Sequence, residues 1–247
     1  MAGNLEIDLA SAVIEYRPTI GELCVVAAQH VPVGTLLAAV PRRTFTWYVG
    51  QRNYPGIYWS VTERDHVIYE SRLELSALLF CDFDRAVQRI KAQPFRMAVA
   101  IDGRVNRHVP DFLLSTSEAT VVVDVVREKR LAEPKIQRLC EWTRRVTHSL
   151  SWDYQVISEP LPMRLANLRC LAGYRREDVV DRETLSAIRE VAANLVGMRF
   201  DEAERYLGAK HPKPLVRSAL LHALWCQDFR IDLDEQFGPS TLLEESK

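Results

Sequence analysis

Four carboxylates in the middle of the chain stand where they could do chemistry together. Asp111 follows Pro110 just before Phe112-Leu113-Leu114, and Asp124 lies inside Val121-Val122-Val123-Asp124-Val125-Val126. Their thirteen-residue spacing suits two hairpin-connected strands, which would bring both carboxylates to one sheet edge. Glu70 and Glu74 are four apart and share a face of any helix that holds them. Two or three converging carboxylates make a hard oxygen site for Mg²⁺ or Mn²⁺, cations that favour such ligands and keep several waters. A cation held there can polarise a phosphodiester, activate water and stabilise the leaving oxygen. The plainer alternatives are a turn at Pro110-Asp111 and a solvated helix face at Glu70 and Glu74. Asp124 resists such a reading. A carboxylate inside an apolar strand is costly unless it is paired, hydrogen-bonded or metal-bound.

The elements that must position these groups read as an α/β domain over 70–160. Leu73, Ala77 and Phe80 give 70–82 a helical stripe. Phe95, Met97, Val99 and Ile101 alternate as a strand does, and Asp102-Gly103 signals a hairpin. A second strand leads to His108-Val109-Pro110-Asp111; 112–114 and 121–126 form the next pair around a polar turn at 115–118. Glu133-Pro134 opens a helix with Ile136, Leu139, Cys140, Thr143 and Val146 on its buried side, and 154–157 is a further strand. Ahead of this domain, 1–69 is a β-rich segment with runs at 23–28, 35–40 and 44–49 and an aromatic turn at 54–59. Behind it, 161–182 reads as a helix and a charged linker. Helical patterns at 183–196, 201–207 and 215–226, then a strand-like 229–233, outline a winged-helix-like domain over 183–247.

Composition bounds the function. The 247 residues are 47% hydrophobic and 26% charged, enough for a sizeable core. Thirty-two basic against 33 acidic residues, a net charge of −1, exclude a globally basic nucleic-acid binder but not a local basic face. No apolar run approaches the ~20 residues of a membrane span, so no membrane role is expected. Residues 1–6 do not read as a signal peptide. The five cysteines are scattered without a CxxC pair, which points to reducing cytosol. The six histidines lack HExxH spacing, and there is no GxxxxGK[ST] loop; zinc hydrolase and self-contained NTPase readings fall away.

The ordered set Tyr69-Glu70-Ser71-Arg72-Leu73-Glu74, Gln93-Pro94-Phe95, His108-Val109-Pro110-Asp111-Phe112 and Val123-Asp124-Val125 resembles the TnsA-like endonuclease subunit of heteromeric transposases. That family belongs to the PD-(D/E)xK restriction-endonuclease-like superfamily. Residues 167–176 and the winged-helix-like tail are similar to the family's second half, and the resemblance spans about 40–235. It implies a mixed sheet flanked by helices, and Mg²⁺- or Mn²⁺-dependent cleavage of double-stranded DNA at transposon ends. The implied partners are a DDE-type transposase subunit and an AAA+ ATPase regulator, in a bacterial cytosol and on the nucleoid when DNA-bound. Carried over by position, Glu74, Asp111 and Asp124 are the metal ligands. Glu70, Gln93 and His108 are accessory.

The chain departs from the motif at its lysine, for Val126 stands two residues after Asp124. Residues 124 and 126 of a strand face one way and Arg127 the other, so Arg127 replaces the lysine only through a bulge. Lys129 is the candidate catalytic lysine displaced into the following loop, with Lys135 beyond it. The alternative is an inactive nuclease fold that binds DNA or assembles with partners. Candidate phosphate contacts are Lys135, Arg138 and Arg145, on a stripe shared with Trp142, and Lys213 and Arg217 in the tail. Acidic Asp228, Asp232, Asp234 and Glu235 leave the tail equally suited to a protein partner.

Overall fold

The computed structural model describes residues 5–42 and 54–246; the strand expected over 44–49 lies outside the described residues. The chain divides into two compact units, Met1–Glu159 and Pro160–Lys247. In the first, the order is β1 (Ile7–Tyr16), β2 (Cys24–Ala27), α1 (Val33–Leu37), β3 (Gly56–Ser60), β4 (Asp65–Tyr69), α2 (Arg72–Phe83), β5 (Val87–Ala92), β6 (Arg96–Ile101), β7 (Arg104–His108), β8 (Phe112–Thr116), β9 (Thr120–Val125), α3 (Pro134–Ser149) and β10 (Asp153–Ile157).

Two four-stranded sheets result, β2-β1-β6-β7 and β10-β9-β8-β5, beside a β3–β4 hairpin. β6 turns into β7 through Asp102 (φ 49°) and Gly103 (φ 71°), two left-handed residues in a row, the geometry that matches strand twist in a two-residue hairpin. In the second sheet β5, β8 and β9 run antiparallel, with Phe112 opposite Val123 and Leu113 opposite Val122. The crossover through α3 makes β10 parallel to β9, so that Tyr154 pairs with Val122 and Val156 with Asp124. Trp142 and Val146 of α3 enter a core that takes Ile14 and Met97 from one sheet and Leu113 and Val122 from the other. Trp142 therefore leaves the basic stripe expected for this helix; its indole packs edge-on to His108 instead.

α2 packs against β5 and β9 and against the β3–β4 hairpin. Asp82 fastens that hairpin, accepting from Tyr58 Oη (2.8 Å), Ser60 Oγ (2.6 Å) and the N–H groups of Val61 (3.1 Å) and Thr62 (2.9 Å). Strands β1, β4 and β5 have no counterpart in the expected elements, the aromatic turn expected over 54–59 is largely the strand β3, and the strand expected over 35–40 is largely the short helix α1.

The second unit contains α4 (Pro162–Ala172), α5 (Arg182–Glu190), α6 (Ala192–Leu195), α7 (Phe200–Gly208), α8 (Lys213–Trp225), β11 (Phe229–Arg230) and β12 (Glu244–Glu245). Asp181 caps α5 by accepting from the Thr184 N–H at 2.8 Å. The helix expected over 183–196 breaks at Val191, where φ −107° and ψ 13° leave the helical region. α8 is the hub, packed on α4, α5 and α7. The strand expected over 229–233 shrinks to two residues, paired with β12 near the end of the chain. No helix among the described residues is long and apolar enough to cross a membrane.

Candidate carboxylate site

Backbone bonds set Asp111 at the start of β8. Its N–H donates to the Val123 carbonyl (3.0 Å), and its own carbonyl accepts from Gln93 N–H (2.9 Å). Gln93 is buried, holds a left-handed φ of 45°, and accepts from the Arg42 N–H at 3.0 Å. That strained conformation (for a residue other than glycine) ends β5 and brackets the carboxylate. The Asp111 side chain accepts from the Val125 N–H at 2.7 Å, which keeps it at the end of β9.

Helix α2 supplies the neighbours. Ser71 caps it by accepting from the Glu74 N–H (3.1 Å), and Glu74 reaches back to accept from the Glu70 N–H (2.7 Å). Burial pushes the Glu74 carboxyl above its ordinary value. Asp111 is pushed up to about 8, first by burial, then by Glu74, with smaller contributions from Asp124 and Glu70 against the favourable Val125 N–H. Among the described residues no basic side chain pairs with Asp111 or Glu74.

Asp124, only 2% exposed, belongs to a different group of contacts. Both of its oxygens lie 2.8 Å from His108 Nε2, and Tyr154 Oη donates to Oδ2 at 2.6 Å. Burial and the Asp124 charge hold the Tyr154 phenol above its ordinary range, so it remains a donor. The cost of this in-strand carboxylate is met by two side-chain partners. Tyr154 was not among the candidate residues; it reaches Asp124 diagonally from the neighbouring parallel strand, two residues short of Asp124's own partner Val156, a contact that appears only once β10 is placed. No group of three or more His, Cys, Asp or Glu among the described residues is arranged to hold a metal ion. Asp111 with Glu74 is accordingly a two-carboxylate site, with Asp124 contributing charge from one strand away.

The lysine position is filled by packing. Val126, 9% exposed, sits against Ile136 and Cys140. Arg127 approaches Glu159 at 3.8 Å, and Lys129 is exposed in the turn Glu128–Arg130. The α3 stripe is largely engaged: Arg138 pairs with Asp102 at 2.8 Å and Arg145 with Glu141 at 2.8 Å, while exposed Lys135 makes no ion pair among the described residues. In the second unit Lys213 is exposed, and Arg217 binds the buried Glu204 at 2.9 Å. Most of α8 beyond them is buried, leaving little of that helix to enter a DNA groove. No protein-family model matches the chain, and no curated protein matches it.

Proposed function

We propose that the chain is the divalent-cation-dependent endonuclease subunit of a heteromeric transposase, on a restriction-endonuclease-like mixed sheet with a winged-helix-like second unit. The observation that carries this reading is Asp111, a carboxyl pushed up to about 8 among three other carboxylates, without a basic partner among the described residues. Such a site gains from a bound cation, and one or two carboxylates plus substrate phosphate suffice for Mg²⁺. Asp111 and Glu74 would hold Mg²⁺ or Mn²⁺, which would polarise the phosphodiester and lower the pKa of a bound water. The Val125 N–H, donating to Asp111, and the Glu70 N–H, donating to Glu74, pre-orient the two carboxylates. His108 and Tyr154 fix the Asp124 carboxylate in place one strand away, with Tyr154 Oη donating to it. Double-stranded DNA is the substrate, with a DDE-type transposase subunit and an AAA+ ATPase regulator as partners.

The test is nicking of supercoiled plasmid in Mn²⁺, by the chain alone and with its DDE-type partner. Cutting that needs the partner and disappears in Asp111→Asn supports the reading. Undiminished cutting by the assembled Asp111→Asn complex would refute it.

Val126 favours a second reading, an inactive nuclease fold retained for DNA binding or assembly. An apolar side chain packed on Ile136 and Cys140 cannot stabilise charge at phosphorus or relay a proton. Gain of nicking in Val126→Lys would identify this lesion. Loss of native nicking in Lys129→Ala would place the role on the displaced lysine instead.

A further inference from the structure

Away from the carboxylates, the second unit lines up a carbonyl, an imidazole and a thiol. His222, 2% exposed on α8, has Nδ1 2.7 Å from the Tyr174 carbonyl oxygen and Nε2 3.3 Å from Cys226 Sγ. A carbonyl only accepts, so Nδ1 carries the proton and Nε2 turns its lone pair to the thiol. Orienter, base and nucleophile thus stand in the order that activates a weak nucleophile. Cys226 is partly exposed, and none of the five cysteines is in a disulfide.

We propose that Cys226 is a reactive thiol, activated by His222 for attack on small hydroperoxides. Proton transfer from Sγ to Nε2 gives a thiolate–imidazolium pair. The thiolate attacks one peroxide oxygen; the S–O bond forms as the O–O bond breaks, sulfur is oxidised to sulfenic acid and the peroxide is reduced. The proton on Nε2 goes to the departing hydroxide or alkoxide, giving water or an alcohol.

The surrounding charges bear on this pair. From α5 the Arg189 guanidinium, bonded to Asp228 at 2.9 Å, is in electrostatic reach of Cys226, and Glu177 is in reach of Arg189. The carbonyls at the C-terminal end of α8 oppose the thiolate and favour the imidazolium beside it. Among the described residues, His222 and Arg189 favour the thiolate–imidazolium pair, and Asp228 and those carbonyls oppose the thiolate. The ordinary alternative is a thiol that merely satisfies a buried imidazole.

Iodoacetamide alkylation of the full chain from pH 6 to 9, resolved by peptide mass spectrometry, separates the two. The exposed Cys170 is the internal reference. An activated Cys226 should react at least about tenfold faster than Cys170 at pH 6.5, with a nearly flat profile to pH 8. Equimolar hydrogen peroxide followed by dimedone should label Cys226 and spare Cys170. A Cys226 rate no faster than that of Cys170, or one climbing about tenfold per pH unit toward the usual thiol value of about 8.5, overturns the proposal. Wild type alone decides. His222→Gln, if its circular dichroism is native, should lose the flat low-pH rate.

Discussion

Replacing Asp111 by Asn should stabilise the protein, and increasingly so as the pH rises. The folded-state carboxyl is pushed up to about 8 from an unfolded value of 3.8. Folding therefore takes up a proton between those values. The stability carried by the neutral carboxyl is complete below pH 3.8, falls as pH rises, and is gone above about 8. The slope is about 1.4 kcal/mol per pH unit inside that window, so wild type should lose ~4 kcal/mol between pH 5 and pH 8 that Asp111→Asn keeps. Asn preserves an acceptor for the Val125 N–H, which limits the structural change. Urea melts of both proteins at pH 5, 6.5 and 8 measure the divergence, and 10 mM Mg²⁺ should narrow it at pH 8 by binding wild type. Parallel stability-versus-pH curves would refute the reasoning, because they would mean that Asp111 is ionised or solvated throughout.

Other outcomes follow from named contacts. Asp82→Ala leaves two hydroxyls and two N–H groups without their acceptor and should cost at least ~3 kcal/mol by urea melt, at ~1–3 kcal/mol per stranded buried group. Tyr154→Phe removes one of the two side-chain partners of Asp124 and should cost about 1–3 kcal/mol, whereas a change within error would show Asp124 solvated. Arg217→Ala strands the buried Glu204 and should lower stability at pH 7 by about 1–3 kcal/mol in a urea melt, whereas an unchanged midpoint would show the pair to be solvated. Isolated protein should bind DNA weakly, with affinity falling steeply between 50 and 200 mM salt, since Arg138 and Arg145 are held in surface ion pairs.

The expected elements and the structure agree where one physical signal dominated. The alternation in 95–101, Asp102-Gly103 and Pro134 each marks a feature found at that place. The isolated carboxylate in an apolar run correctly signalled a group needing partners, though not that His108 and Tyr154 would be those partners. Their convergence depends on β7 and β10, which lie in different sheets. Strands β1 and β5 lacked a legible signal: β1 carries a register shift between Asp8 and Val13, and β5 buries only part of its face around Arg89 and Lys91. In α3, apolar Trp142 occupied a position that the basic spacing also fitted, and burial of the indole decided its side. The short helix α1 contains a Gly-Thr pair with weak helical preference, so tertiary packing of Leu36 and Leu37 overrode propensity.

The proposed cation site is open to one measurement, Mn²⁺ titration calorimetry at pH 7 in buffers of different ionisation enthalpy. A cation binding at Asp111 must displace the proton that its raised pKa retains, so wild type should release nearly one proton per Mn²⁺ bound, about one by linkage. Asp111→Asn should bind more weakly and lose the proton release that Asp111 supplies. Mn²⁺ binding of equal strength and equal proton release in both proteins, or no binding to wild type at millimolar Mn²⁺, would contradict a cation at this cluster.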